Sequence, residues 1–430
     1  MNLNFLLLWQ GQAVSQIGSQ ISVIATLFWL KHATESPALI GTISMIAGLA
    51  AVALGPVGGA FADRYSRRSI IIVCDLVSGL TVISLAFTLF FAPEARGWTL
   101  VWVGVVSITL SVVNSFFMPA IAAATPDLVP KEKIAAANSM LQASLQITGL
   151  LGQGIGGMLF RLLGAPLVLV IDGITYLLAA FSGYFIKIPQ ELAEKSGDWR
   201  ERIREFMREM WEGVSYIRTN TGLTQLLLVS TFLNFFTAPI LGLFAFYVED
   251  HLKLHPDWFG YLLTVYGIGN LVGYLLAGTI QVPSRIRAGL ILAAMFSQSV
   301  LCGSLGVARM SVMVAAIILG IGALSGFVNI SVSTILQLTT PSEIRGRVFG
   351  LLATISACLL PIGMGLGGTV ASLLGKQIPL IYVFCGVCMT LITLVAAVLS
   401  RLRRYLATDP EVAPAVISLD PEIKEAAGAD

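Results

Sequence analysis

Two carboxylates stand inside long apolar runs: Asp75 in "IIIVCDLVSGL" and Asp172 in "LVLVIDGITYL". A charge at mid-membrane costs about 2.5–3.5 kcal/mol on insertion scales, so an acid in such surroundings is a functional candidate by default. The chemistry open to it is proton exchange, and Asp172 and Asp75 are the proton-coupling candidates. The alternative for both is structural, as hydrogen-bonded helix packers. Asp75 follows Arg68 by seven residues on roughly the same helical face, so it can also extend a charge network there.

That network lies in "GGAFADRYSRRS" at 58–69. Asp63 can accept charge-assisted hydrogen bonds from the neighbouring arginines or sit against a helix N-terminus. Gly59 lets its helix approach a neighbour closely. Plain anchoring at an anionic leaflet would explain Arg67 and Arg68 but neither Asp63 nor Gly59.

A third group is neutral. Gln12, Ser15, Gln16, Ser19 and Ser22 recur at helical spacing, and three further runs carry Asn114 with Phe117, Asn234 with Phe235, and Asn329. Amides beside aromatic walls suit a bulky amphipathic ligand; a small anion would call for Arg or Lys. Gln12, Gln16, Ser19, Asn114, Phe117, Asn234, Phe235 and Asn329 are therefore substrate-cavity candidates, with helix–helix hydrogen bonding as the alternative for each. The five cysteines fall in apolar runs and read as reduced, buried residues. Cys385 and Cys388 form C-x-x-C without further ligands nearby, and there are three histidines, so neither a metal site nor a cofactor is expected. No His, Cys or Ser constellation has a plausible base, and no phosphate-cradling G-x-x-x-x-G-K-S/T is present, so neither an enzyme nor direct ATP use is expected.

The elements that must position these groups are membrane helices. The chain has 430 residues, 56% hydrophobic and 12% charged, with mean hydropathy +0.85. Soluble domains are about 45–50% apolar and about 25% charged. The outer surface must therefore face a lipid bilayer. Twelve apolar runs lie near 4–30, 38–61, 69–92, 98–124, 134–162, 165–186, 222–248, 257–281, 287–307, 311–336, 345–374 and 378–400. The first has no basic leader and no cleavage site, and is expected to stay as a span. Basic residues gather on one side: Arg64, Arg67 and Arg68; Lys131 and Lys133; the central linker; Arg285 and Arg287; Arg345 and Arg347; and the tail. The opposite loops hold one each: Lys31, Arg96, Arg161, Lys253, Arg309 and Lys376. The positive-inside rule then puts both termini in the cytoplasm.

The two halves repeat. "GQGIGG" at 152–157 matches "GMGLGG" at 363–368, and at the same offset Pro130 falls on Pro341, Glu132 on Glu343 and Phe116 on Phe327. Parallel repeats of six helices are the build of many secondary transporters. The expected organisation is all-α: 1–186 an N-terminal six-helix bundle, 187–221 a cytoplasmic linker, 222–401 a C-terminal six-helix bundle, and 402–430 a disordered cytoplasmic tail. In the linker, Trp199, Ile203, Phe206, Met207, Met210, Val214 and Ile217 recur at helical spacing, which predicts an amphipathic helix on the inner membrane surface. Gly152, Gly156, Gly157, Gly363, Gly367 and Gly368 read as helix-packing glycines.

Twelve spans, a long central loop and "GAFADRYSRR" together resemble the major facilitator superfamily. Its signature for this loop is roughly G-x-x-x-D-R-x-G-R-R/K; Gly59, Asp63, Arg64, Arg67 and Arg68 match, and Ser66 replaces a glycine. The resemblance implies that this cluster latches the halves on the cytoplasmic side, and that the third and sixth spans form a supporting layer. "NFLLLWQGQAVSQIGSQI", "TPDLVPKEKIAAANSM", "LVIDGITYLLAAFSG" and "WEGVSYIR" look like the drug-exporter branch that includes macrolide efflux proteins and the enterobactin exporter. "GLLGQGIGG" is similar to the antiporter motif G-P-x-x-G-G, with Gln153 in place of proline, and the fourth run lacks the arginine of some proton–drug antiporters. The implied function is proton-coupled efflux of a hydrophobic drug or natural product, macrolide- or siderophore-like, by alternating access in a bacterial inner membrane. An importer of the same fold and a non-transporting sensor are the alternatives. The expected partners are a small-molecule substrate, protons and lipid; no nucleic acid is expected, and the chain should work as a monomer.

Overall fold

The computed structural model describes residues 3–91, 96–130, 133–188, 199–279, 283–341 and 344–408; the side chains of Leu3, Asp63, Arg96, Ala135, 199–207, Glu209 and Ala357 lie outside that description. Among the described residues there are helices and turns and no strand. The helices are α1 (Leu3–Thr34), α2 (Pro37–Arg64), α3 (Arg67–Phe91), α4 (Arg96–Leu128), α5 (Ile134–Phe185), α6 (Trp199–Thr219), α7 (Thr221–Gly242), α8 (Phe244–Phe246), α9 (Asp257–Thr279), α10 (Ser284–Ser304), α11 (Ser311–Thr339), α12 (Arg345–Leu373), α13 (Ile378–Val398) and α14 (Ser400–Leu406). A π-helical turn, Tyr247–His251, follows α8.

Eleven of these are long and apolar enough to cross a membrane. The 52-residue α5 would be about 78 Å long if straight, more than twice the hydrocarbon thickness. It breaks at Gly164, whose φ of 73° and ψ of 163° leave the helical region, two residues before Pro166. That φ is one a side chain rarely permits. The break falls between the expected fifth and sixth runs, and reading α5 as two crossings gives twelve. Large apolar side chains such as Leu80, Phe91, Phe181, Leu391 and Val398 are exposed. A soluble monomer rarely shows so much apolar surface, and lipid is the solvent that accepts it.

Helix starts follow local chemistry. Ser36 caps α2 by accepting from the Leu39 N–H at 3.3 Å, with Pro37 as first helical residue. Ser66, where the family signature has glycine, accepts from the Ser69 N–H at 3.4 Å just before α3. The serine thus serves as a helix cap.

The chain divides into two compact units. One comprises 1–196 with 238–264 and 360–381; the other comprises 197–237, 265–359 and 382–430. In the first, Phe5, Leu8, Ala62, Ile71, Ala120, Ala124 and Leu128 pack α1 to α4 together. In the second, Leu223, Ile291, Val348, Leu351 and Ala396 form the core, joined by Leu402, Tyr405 and Leu406 of α14. The Tyr405 and Thr339 hydroxyls are hydrogen-bonded at 2.8 Å. Residues 402–408 are therefore ordered, which corrects the expected start of the tail: Leu402, Tyr405 and Leu406 share one helical face and bury it. Residues 409–430 lie outside the described set.

The linker helix α6 forms, but not as a purely lipid-facing element. Met210, Val214 and Ile217 turn to the core of the second unit, Tyr216 Oη donates to the Thr339 carbonyl at 3.1 Å, and Arg347 pairs with Glu212 at 2.6 Å.

Candidate functional site

The first unit encloses a cavity of about 230 Å³, bounded by α1, α3, α4 and α5. Its lining includes Gln12, Gln16 and Ser19 from α1, Asp75 and Ser78 from α3, Asn114 and Phe117 from α4, and Tyr176 from α5. Five of the candidates read from sequence for a ligand cavity thus meet in one place, with one of the two acids. Asp75 is 1% exposed. Gln12 hydrogen-bonds the carboxylate, while Oδ2 has no partner. Ser19 donates to Tyr176 Oη at 2.8 Å, Thr148 to Gln16 Oε1 at 3.5 Å, and Gln153 to Gln20 Oε1 at 3.4 Å.

This placement corrects two expectations for Asp75. It does not extend the arginine network, because the α3 face that carries Asp75 and Ser78 turns into the bundle. Nor is the third span only a supporting layer here, since Asp75 lines the cavity beside Gln12. Tyr176, which the sequence reading left out, is the contribution of the sixth run.

Asp172 stands one turn before Tyr176 and is 2% exposed. It does not line the cavity. Its Oδ1 faces the backbone of α1 so closely that a Cβ on Gly18 would come within 2.6 Å. The Ser22 and Thr175 hydroxyls neighbour the carboxylate, yet neither Oδ1 nor the Ser22 hydroxyl completes a hydrogen bond of good geometry. Glycine at 18 is what allows the carboxyl group to seat against α1.

The remaining cavity candidates belong to the second unit and do not line this cavity. Asn234 donates to the Ser356 carbonyl at 3.1 Å, which is helix–helix bonding. Phe235 meets Phe236 edge-on at 5.1 Å. Asn329 is exposed on α11.

In the motif between α2 and α3, Arg67 donates to the Ala123 carbonyl at 3.0 Å and pairs with Asp127 of α4. Arg68 reaches the C-terminal carbonyls of α5, Gly183 and Tyr184, and lies over the Tyr184 ring at 5.4 Å. Arg64 is exposed, and the side chain of Asp63 is outside the described residues. The close approach expected at Gly59 belongs to its neighbour: a Cβ on Gly58 would lie 1.9 Å from the Ser115 carbonyl oxygen, while nothing lies within 4 Å of one on Gly59.

At the other end of the unit is a cluster that sequence reasoning missed. Lys31, 6% exposed, donates to Glu249 at 2.6 Å and to Asp250 at 2.8 Å, and its ammonium lies over Phe246 at 5.1 Å. His32 is 3.1 Å from the Glu249 carboxylate. Both acids lie in the π-helical turn, a feature that concentrates at functional sites. Arg161 pairs with Asp257 at 3.0 Å, and Lys376 with Glu35 at 2.9 Å, holding the Glu35 carboxyl below the usual carboxylate range. The only signal in the sequence was the adjacent acid pair in "FYVED".

The expected packing glycines serve the same seams. A Cβ on Gly152 would meet Gln20, and one on Gly156 would meet Ile24, both of α1; one on Gly157 would lie 2.3 Å from the Pro256 carbonyl. One on Gly367 would meet Pro239, and one on Gly368 would lie 2.3 Å from the Pro37 carbonyl. Gly363 is buried. Small residues here let α12 lie directly on α2 and α7, and let α9 and the turn before it lie on α5.

Known proteins share this build. The family model described as Major Facilitator Superfamily matches residues 8–359 and 227–424. The chain belongs to the major facilitator superfamily. Macrolide efflux protein A of Streptococcus pyogenes is 29% identical over 378 residues, 87% of this chain and 90% of that protein. The multidrug efflux pump Tap of Mycolicibacterium fortuitum is 27% identical over 412 residues, 91% and 95% of the two chains. Among solved structures, the nucleoside transporter NupG (D323A mutant) aligns with a TM-score of 0.71 at 13% identity, covering 92% of this chain and 98% of that one. A bacterial homologue of the iron transporter ferroportin in the inward-facing state gives 0.69 at 16% identity, covering 93% and 100%. This superfamily member is thus a multi-pass membrane transporter, and its relatives are transporters rather than enzymes.

Proposed function

We propose that this transporter is a secondary active exporter in a bacterial inner membrane, with both termini in the cytoplasm. It moves a hydrophobic drug or natural product, macrolide- or siderophore-like, outward by alternating access, in exchange for protons. The observation that carries the reading is the cavity in the first unit, where a buried acid meets amides and aromatic rings. Such a cavity offers a bulky amphipathic molecule both contact area and a few oriented polar groups.

The outer cluster supports alternating access. Lys31, Glu249 and Asp250, with the Gly157–Pro256 and Gly368–Pro37 seams, hold the outer ends of α7, α9 and α12 against α1, α2 and α5. This is a closure that must part before a substrate can leave on that side. The arginines around 64–68 are the corresponding device at the cytoplasmic side. Asp172 is the candidate for the coupling proton, seated outside the cavity but one helical turn from Tyr176. One charge crossing 100 mV is worth about 2.3 kcal/mol, enough for a useful gradient without ATP.

A drug-sensitive bacterial host expressing the chain tests this. Raised resistance to macrolides or other bulky amphipathic compounds, with lower accumulation inside the cell, is the expected result. Higher accumulation would assign an importer, and unchanged accumulation with measurable binding would assign a sensor.

A further inference from the structure

Asp75 is the one charged side chain among the residues lining the 230 Å³ cavity. Gln12 holds the carboxylate, yet Oδ2 has no partner although the residue is 1% exposed. A buried carboxylate oxygen without a donor is costly, and a counter-charge placed beside it recovers that cost. Among the described residues no Lys, Arg or His lines the cavity to provide one. The other polar groups, Gln16, Ser19 and Asn114, are neutral, and Phe117 and Tyr176 present aromatic rings. Rings of this kind attract a cation over their faces. The volume falls below the roughly 300–1,000 Å³ of pockets that take a whole drug-sized molecule, so it fits a head group rather than a complete ligand.

We propose that Asp75 is the anionic contact for a positively charged nitrogen on the substrate, so that the substrates are cationic amphiphiles whose head group enters this cavity. This rests on reading the cavity as part of the transport path. Gln12 holds the carboxylate in place, the rings of Phe117 and Tyr176 flank the cation, and the apolar remainder of the substrate stays outside the cavity. Small anions and phosphorylated compounds are disfavoured by the same carboxylate.

The test uses the full chain in lipid nanodiscs and two fluorescent probes built on one aryl scaffold. One ends in a trimethylammonium group, the other in the neutral, isosteric tert-butyl group. The wild-type protein is expected to bind the ammonium probe about tenfold more tightly or better, a difference of about 1.4 kcal/mol. Asp75→Asn should abolish that preference while leaving tert-butyl affinity within about twofold, which also shows that the variant is folded; Asp75→Glu should keep the preference. Equal affinity of the wild type for both probes, or a preference that survives in Asp75→Asn, overturns the proposal and leaves the cavity reading standing. Failure of the wild type to bind either probe, or binding unaffected by Phe117→Ala, overturns the cavity reading and the proposal with it.

Discussion

Lys31→Met removes the ammonium of the outer cluster and keeps most of its apolar stem. Lys31 sits 2.6 Å from Glu249 and 2.8 Å from Asp250, with side-chain exposures of 7%, 13% and 38%. Breaking a buried pair costs about 3–5 kcal/mol because the remaining charge is stranded. Asp250 is exposed enough that its share is at most about 1 kcal/mol. Glu249 keeps His32 at 3.1 Å as a second partner, which argues for the lower end, about 3 kcal/mol. If the outer closure is one side of a two-state equilibrium, the open fraction should rise about 150-fold. A reporter cysteine at position 264, in a background with the five native cysteines replaced, measures this. Thr264 is half-buried, and its Oγ1 would lie 2.5 Å from a Cβ on Gly154, so contact of α9 with α5 shields the site. Labelling by an impermeant thiol reagent from the outside should accelerate by about two orders of magnitude in Lys31→Met, and Lys31→Arg should stay near the parent rate. Equal labelling rates in Lys31→Met and its parent would refute the lock.

Two further outcomes are expected. Gly58→Ala should lower the unfolding midpoint in detergent by the equivalent of about 1–3 kcal/mol of overpacking, because its Cβ has no room beside the Ser115 carbonyl, whereas Gly59→Ala should leave the midpoint in place; a thermal melt of the two variants decides this. Asp172→Asn holds the position in a permanently neutral form: substrate exchange down its own gradient should continue in proteoliposomes while pH-driven uphill export stops, and full uphill export would assign Asp172 to helix packing.

The spans were legible in the sequence because each is an unbroken apolar run between polar breaks. The gap between the runs at 134–162 and 165–186 falls at the break in α5. The grouping of Gln12, Gln16, Ser19, Asn114 and Phe117 was legible in part, since their helical spacing and polar character set them apart from lipid-facing neighbours. What could not be read was rotation and height. One residue turns a helix by about 100°, and in a run apolar on every side nothing fixes the absolute angle. That is why the close approach was expected at Gly59 rather than Gly58, and why Gln12 could not be named as the neighbour of Asp75. The outer cluster joins Lys31 to Glu249 across 218 positions, a pairing that only the packing of α1 against the π-helical turn creates. At the far end, three apolar residues of α14 were too short a signal to separate from the tail.

The central claim, proton-driven export, is tested most directly in inside-out membrane vesicles carrying the chain, where outward transport appears as uptake. With the lumen acidified, a radiolabelled macrolide should accumulate inside above its external concentration, and a protonophore should release it at once. Accumulation that ignores the protonophore, or that occurs in right-side-out vesicles instead, would contradict the account.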